Sequence, residues 1–330
     1  MNTNDNIINN KIINSITKNI GISQKKVYDF LYLIKTGKAL DNTALVRALG
    51  VSKNVLNQTK KELNNILEAP STFTQLRDSM IPALNSLFSP DYKTEDNLFK
   101  LFEDNYFEKA KELLNKYENT RPSPDRSYDQ FNATIETTAK RASLLNFFSD
   151  IENKRLLFLG DDDFTSVAVS SIRKEAKVSV LDIDDRLLKG IESIALKEHF
   201  DIKTQVHDFR KALPPSYLGK YDIVFTDPPY TPEGIKLFLS RAIQSLDPTC
   251  LIARIYLCYG NSDRAKERFL PIYDLINESG LMIRYVLDKF NRYHGAESIG
   301  SSSTLFILEV TPKTKPLTIG NYAKAIYTNN

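Results

Sequence analysis

Three observations predict an α/β fold for most of this chain: a doubly wound, mostly parallel sheet preceded by a smaller helical module. From Lys154 onward, short apolar runs alternate with helix-length stretches, and buried strands alternating with helices imply a parallel sheet covered on both faces. Acidic or proline-bounded loops follow several of these runs, and strand carboxyl ends are where such sheets bind ligands. Before residue 120 the apolar spacing is helical instead.

At 330 residues, 42 % of them hydrophobic, the chain is long enough for two domains with sizeable cores. A formal net charge of +3 neither demands nor excludes nucleic acid as a partner. Cys250 and Cys258 have no metal-ligating neighbours and read as reduced, buried thiols suited to a cytoplasmic protein. Met1–Asn19 lacks the apolar core of a signal peptide, and no apolar run approaches the ~20 residues of a membrane span. A soluble, cytoplasmic protein is expected.

The first third begins with Ser23–Ile34, which places Val27, Leu31 and Ile34 on one helical stripe. Thr43–Thr59 then reads as a helix-turn-helix, with Gly50 at the turn and Ser52 capping the second helix. Lys53, Asn57 and Lys60 would be exposed on that helix, as DNA binding requires. A winged-helix-like module used for dimerisation or to cover an active site is the preferred reading, so no nucleic-acid partner is expected. Pro70 and Pro90 break the helical pattern and leave room for strands, and a further helix spans about Glu95 to Tyr117. Arg121–Arg126, with two prolines, reads as a linker. The expected domains are therefore 1–120, 121–311, and a C-terminal tail at 312–330.

In the second domain the predicted strands are Arg155–Leu159, Lys177–Asp182, Lys203–His207, Tyr221–Thr226, Cys250–Leu257, Met282–Leu287 and Thr304–Val310. Helices start near Phe164, Arg186, Pro232 and Asp263, and a Gly/Ser-rich segment, Gly295–Ser303, separates the last two strands. This pattern is Rossmann-like.

The first of these strands ends in Gly160-Asp161-Asp162-Asp163. A nucleotide-binding loop here usually has several glycines and welcomes an anion. This one keeps a single glycine and adds three acids. One acid suffices to cap the following helix; the others place negative charge where a ligand's charged end should lie. Asp182 closes the second strand, positioned for ribose hydroxyls, and Asp208 follows the third, within reach of an adenine amino group. The fourth strand ends in Asp227-Pro228-Pro229-Tyr230. Its prolines stiffen the loop, Asp227 can accept hydrogen bonds from an amine nucleophile, and Tyr230 can stack on it or bind a cation.

Amino-group methyltransferases acting on adenine share the Asp-Pro-Pro-Tyr string, so two chemistries compete. S-adenosylmethionine carries a carboxylate that the Asp161–Asp163 cluster would repel, by about 4 kcal/mol for unit charges ~4 Å apart at an effective dielectric of 20. Decarboxylated S-adenosylmethionine lacks that carboxylate and keeps two cationic centres, and a polyamine acceptor also suits an acidic cleft. A third use is a DNA-binding regulator that senses polyamine through a degenerate enzyme domain.

The chain resembles the branched-chain polyamine synthases, or N(4)-bis(aminopropyl)spermidine synthases, most firmly between Arg121 and about Leu246. The shared motifs are Arg-Pro-x-Pro, Tyr128-Asp129-Gln130, Thr134-x-Glu136-Thr137-x-x-x-Arg141, Leu-Gly-Asp-Asp-Asp-x-Thr-Ser, Leu-Asp-Ile-Asp and Asp-Pro-Pro-Tyr-Thr. The resemblance implies a dimeric aminopropyltransferase with decarboxylated S-adenosylmethionine as co-substrate and spermidine as acceptor; the displacement needs no prosthetic group or metal, and the three acids lack the spacing of a hexacoordinate site. Carried over by motif, Gly160, Asp161, Asp162, Asp182 and Gln130 hold the donor, and Asp208 joins them by its position at a strand end. Asp129, Asp163, Asp227, Pro228 and Tyr230 hold the polyamine. Asp163, Asp227 and Tyr230 act in catalysis, with Asp163 nearest the reacting amine.

Overall fold

The structure is a computed structural model and describes residues 8, 10–49, 51, 53–69, 72–94, 105–260, 266–294 and 302–328. The chain forms two compact units, Met1–Asn105 with Phe147–Asp150, and Tyr106–Asn146 with Ile151–Asn330.

In the first unit, helices α1 (Asn10–Ile20) and α2 (Gln24–Ile34) are followed by β1 (Leu40–Asp41), α3 (Asn42–Leu49), α4 (Lys53–Glu62), β2 (Phe73–Thr74) and α5 (Ile81–Ser86). The Ser23 hydroxyl accepts from Lys26 N and caps α2, while the Asp41 carboxylate accepts from Ala44 N at the start of α3. The stripe expected on α2 is buried, and Leu45, Leu49, Leu56 and Leu63 from α3, α4 and the turn after α4 pack in the same core. β1 pairs antiparallel with β2. Ile66–Glu68 runs antiparallel to Gln75–Arg77, with Glu68 N donating to Gln75 O at 2.9 Å and Arg77 N to Ile66 O at 3.0 Å. The expected Gly50 turn and Ser52 cap lie outside the described residues, as does the 95–104 part of the following helix; the described helix is α6 (Asn105–Lys116).

The second unit adds α7 (Ile135–Phe147), β3 (Arg155–Leu159), α8 (Thr165–Ile172), β4 (Lys177–Asp182), α9 (Asp185–Glu198), β5 (Ile202–Val206), β6 (Ile223–Thr226), α10 (Pro232–Ser245), β7 (Arg254–Gly260), α11 (Leu270–Glu278), β8 (Met282–Arg292) and β9 (Ser302–Glu309). The sheet order is β5-β4-β3-β6-β7-β9-β8. The first five strands are parallel, and β9 is antiparallel to both of its neighbours. Strand order reverses between β3 and β6, whose last residues, Leu159 and Thr226, lie side by side. Gly160 and Asp227 therefore leave the sheet together, at the place where a doubly wound sheet opens a crevice.

Several boundaries differ from the sequence reading. β7 starts at Arg254, because Cys250 N bonds back to Asp247 O at 3.0 Å and holds Asp247–Cys250 in a turn. β8 continues to Arg292, past register shifts against β9. The helix start near Asp263 and most of the Gly/Ser-rich segment lie outside the described residues.

Two segments also play different parts from those expected. Arg121–Arg126 is not a connector, since the Arg121 guanidinium donates to Asp162 O at 2.8 Å and to Ala133 O at 3.0 Å, both within the second unit. Nor is 312–330 a trailing tail: Ile326 and Tyr327 are buried in the core of the second unit. Thr231 Oγ1 donates to Ile326 O at 2.7 Å, and Tyr322 N donates to Arg210 O. No helix among the described residues is long and apolar enough to cross a membrane.

Candidate active site

A cavity of about 360 Å³ opens at the carboxyl ends of β3, β4 and β6. Gly160, Asp162, Asp182, Asp227, Pro228 and Tyr230 all line it, as do Asp129 and Gln130. Gly160 turns away from β3 at φ +75°, a left-handed conformation that suits glycine. Asp129 is left-handed too, with φ 56°. Its carboxylate accepts from Thr328 N at 2.8 Å, tying the final turn of the chain against the cavity. Gln130 accepts from Asp125 N at 2.8 Å and donates to Asp184 at 3.3 Å, so its amide is engaged by protein groups at the rim.

The three consecutive acids have three separate fates. Asp161 is a cap: its two oxygens accept from Thr165 N at 2.8 Å and Ser166 N at 3.1 Å, at the start of α8. Burial nevertheless pushes its carboxyl up to about 7. Asp163 faces away from the cavity and is 2 % exposed. One of its oxygens accepts from Arg121 and from Ala133 N at 2.6 Å; the other accepts from Arg141 at 2.6 Å. The expectation that Asp163 meets the reacting amine is therefore corrected, because its charge is consumed by two arginines. Asp162 alone turns into the cavity. Its carboxyl makes no side-chain hydrogen bond among the described residues. Burial, with Asp163, Asp227 and Asp182 adding to it against the pull of Arg121, drives its pKa well above the usual carboxylate range.

Arg141, on α7, joins the two halves of the site. It is 1 % exposed and donates to Asp163 at 2.6 Å, to Asp227 at 2.7 Å, to Asn291 at 2.8 Å and to the Tyr293 hydroxyl at 3.1 Å. Burial would weaken its charge. Cys258, Tyr293, Asp163 and Asp227 outweigh that and raise its pKa.

Asp227 also accepts from the Tyr230 hydroxyl at 2.9 Å and from the Tyr293 hydroxyl at 2.7 Å. Burial raises its pKa, and Arg141 opposes the rise. Gly260 makes room for Tyr230, since a Cβ there would lie 2.8 Å from the ring. Asp182, at the end of β4, accepts from Asp161 N at 3.0 Å and Asp184 N at 2.8 Å, and burial lifts it to about 6. Asp208 is not brought into the cavity. It folds onto Arg210 in a bidentate pair with a 2.9 Å contact, and the neighbouring Phe209 lines the cavity instead.

Sequence reasoning missed Arg121 and Arg141 as counter-ions, Tyr293 as a partner of Asp227, and the aromatic walls Phe209, Phe238 and Tyr327. Arg141 had left a signal. It sits among Ala139, Ala142, Leu144 and Leu145 on a helix whose residues are mostly buried, and a cation buried in such a run needs an acid nearby.

A family model for the branched-chain polyamine synthase A C-terminal domain matches residues 109–328. The chain belongs to this family. An N(4)-bis(aminopropyl)spermidine synthase of Thermococcus kodakarensis is 35 % identical over 206 residues, covering 62 % of this chain and 58 % of the relative. An uncharacterised Methanocaldococcus jannaschii protein is 39 % identical over 225 residues, covering 68 % and 56 %. The chain thus spans a little over half the length of these curated relatives. The branched-chain polyamine synthase of Thermus thermophilus, solved in complex with N4-aminopropylspermidine and 5′-methylthioadenosine, has the same fold. It superposes with a TM-score of 0.61 at 20 % identity, covering 98 % of each chain.

Proposed function

We propose that this protein transfers the aminopropyl group of decarboxylated S-adenosylmethionine to an amine of a polyamine, with the secondary amine of spermidine as acceptor. One observation carries the reading: the cavity is lined by Asp129, Asp162, Asp182 and Asp227 together with aromatic rings, and among the described residues by no lysine, arginine or histidine. Carboxylates and π faces attract cations, and donor and acceptor are both cationic. The carboxylate of intact S-adenosylmethionine would meet Asp162, and among the described residues no counter-ion lines the cavity wall. The volume falls within the usual range for small-molecule sites.

The reaction is an in-line displacement. The amine nitrogen bonds to the carbon beside the sulfonium, the carbon–sulfur bond breaks, and methylthioadenosine leaves neutral. The donor is already activated, so positioning supplies much of the rate, with the reacting atoms held ~3–3.5 Å apart. Asp182 binds the ribose hydroxyls, while Ile183, Phe209 and Phe238 enclose the adenine. Asp162 takes the proton that the attacking amine must lose, since it alone of the three acids is unbonded and its raised pKa suits it to hold a proton. Asp227, fixed by Arg141, Tyr230 and Tyr293, orients the amine.

Incubating the protein with decarboxylated S-adenosylmethionine and a panel of polyamines, then identifying products by mass spectrometry, tests the reading. A spermidine product heavier by one aminopropyl group, with matching methylthioadenosine, is expected. Methyl transfer from intact S-adenosylmethionine, without aminopropyl transfer, would establish the rival chemistry.

A further inference from the structure

The first unit presents a surface that the transfer reaction does not use. On α4, Leu56 and Thr59 are buried, while Lys53, Asn54, Asn57, Gln58 and Lys61 are exposed. Their spacing puts them along one side of the helix. This face contains amides and ammonium groups, and the helix's single acid, the exposed Glu62, lies at its C-terminal end. Glu62, at the far end of α4, accepts from Asn19 at 3.3 Å.

Lys60, expected on the exposed face, is turned inward instead. Its ammonium donates to Asn42 Oδ1 at 3.1 Å and to Phe73 O at 3.3 Å, and burial lowers its pKa. It thereby fastens α4 to the start of α3 and to β2. The antiparallel pairing of 66–68 with 75–77 follows α4 directly, and Phe73 beside it is 50 % exposed. From Gln24 to Asp78, basic residues outnumber acidic ones.

We propose that this unit is a winged helix that binds duplex DNA, with α4 in the major groove and the paired segments 66–68 and 75–77 beside it. A recognition helix reads base edges mainly through residues near its N-terminus, which here are Lys53, Asn54, Asn57 and Gln58. Asparagine and glutamine pair with the N6 and N7 atoms of adenine in a bidentate manner, and lysines neutralise phosphates. The face therefore fits A·T-containing duplex better than G·C duplex. Two exposed lysines give a modest electrostatic footprint, so binding is weak and strongly salt-dependent. The proposal is independent of the transfer chemistry, because none of these residues lines the cavity.

Fluorescence anisotropy of the full chain with labelled A·T-rich and G·C-rich duplexes, over a salt series, tests it. The wild type should prefer the A·T-rich duplex. Lys53→Ala with Lys61→Ala should weaken both complexes and flatten the slope of log affinity against log salt by about 1.8, two phosphate contacts at ~0.9 each. Asn57→Ala with Gln58→Ala should keep the salt slope and lose about tenfold on the A·T-rich duplex, abolishing the preference. Circular dichroism and unchanged aminopropyl transfer report that each variant is folded. Affinity that neither pair changes would overturn the proposal. So would an α4 substitution that alters the sedimentation of the protein alone and leaves DNA binding intact, since the face would then be an interface between copies of the chain.

Discussion

Replacing Asp162 and Asp163 separately with Asn distinguishes a reacting carboxylate from a structural one, although the two are adjacent. Asp163 accepts from Arg121, Arg141 and Ala133 N and is 2 % exposed. Asp163→Asn leaves two guanidinium groups short of negative charge, and breaking a buried ion pair costs about 3–5 kcal/mol. At roughly 2–4 °C per kcal/mol for a unit of this size, Tm should fall by about 6–20 °C. Among the described residues Asp162 has no side-chain hydrogen bond to lose, and burial with Asp163, Asp227 and Asp182 opposes its charge against the pull of Arg121. Asp162→Asn should therefore leave Tm unchanged or raise it slightly, while kcat falls by about 10²–10⁴-fold, the usual range for general-base catalysis. The pH profile provides a second readout. Because the pKa of Asp162 is raised, wild-type activity should fall as pH drops through that value and the carboxyl protonates; Asp162→Asn should lose this limb. Calorimetry for Tm and chromatography of methylthioadenosine for kcat suffice. If Asp162→Asn keeps kcat within about threefold while Asp163→Asn loses activity at constant Tm, the roles assigned to the two acids are wrong.

Donor choice follows from the cavity walls: decarboxylated S-adenosylmethionine should bind at least about tenfold tighter than the carboxylated form by calorimetry, and equal affinity would remove the electrostatic basis of the reading. Asp182→Ala should weaken donor binding, whereas Asp208→Ala, which removes a residue engaged by Arg210, should leave the donor Kd unchanged. Burial pushes the carboxyl of Asp161 up to about 7 in the folded chain, against ~3.9 unfolded. The folded state holds this proton more tightly, so the contribution to stability is present at low pH and declines as pH rises from about 4 to 7. Asp161→Asn should reduce that slope in denaturation measured across the window, and an unchanged slope would show that the buried carboxyl is not its source.

Much of the sheet was legible because its signal is local. Of the five parallel strands, each four to seven residues long, all but the polar edge strand β5 are largely apolar runs, helices separate most of them, and the loops at their carboxyl ends carry the acids. Asp162, Asp182, Asp227 and Tyr230 reached the cavity for that reason. What stayed hidden depends on contacts distant in sequence. Asp161, Asp162 and Asp163 are chemically identical side by side, and only the backbone turn through Gly160 and the left-handed Phe164 (φ 57°) decides which faces the cap, the cavity or the arginines. Arg141 meets Asp163 and Asp227 across 22 and 86 residues, and Tyr327 reaches the cavity from the far end of the chain. Asp208 misled because strand-end position was taken to fix its direction, whereas Arg210, two residues on, captures it.

The two guanidinium groups that neutralise the acids at the switch point come from chain that precedes the first strand of the sheet. This bears on any attempt to isolate or graft the catalytic part. A fragment starting at Lys154 would retain Asp162, Asp182 and Asp227 of the cavity and still lack Arg121 and Arg141, leaving Asp163 and Asp227 without these counter-ions between β3 and β6. The smallest self-sufficient piece must begin before Arg121, and exchanging the sheet with a relative requires the Arg121–Arg126 segment and α7 to travel with it.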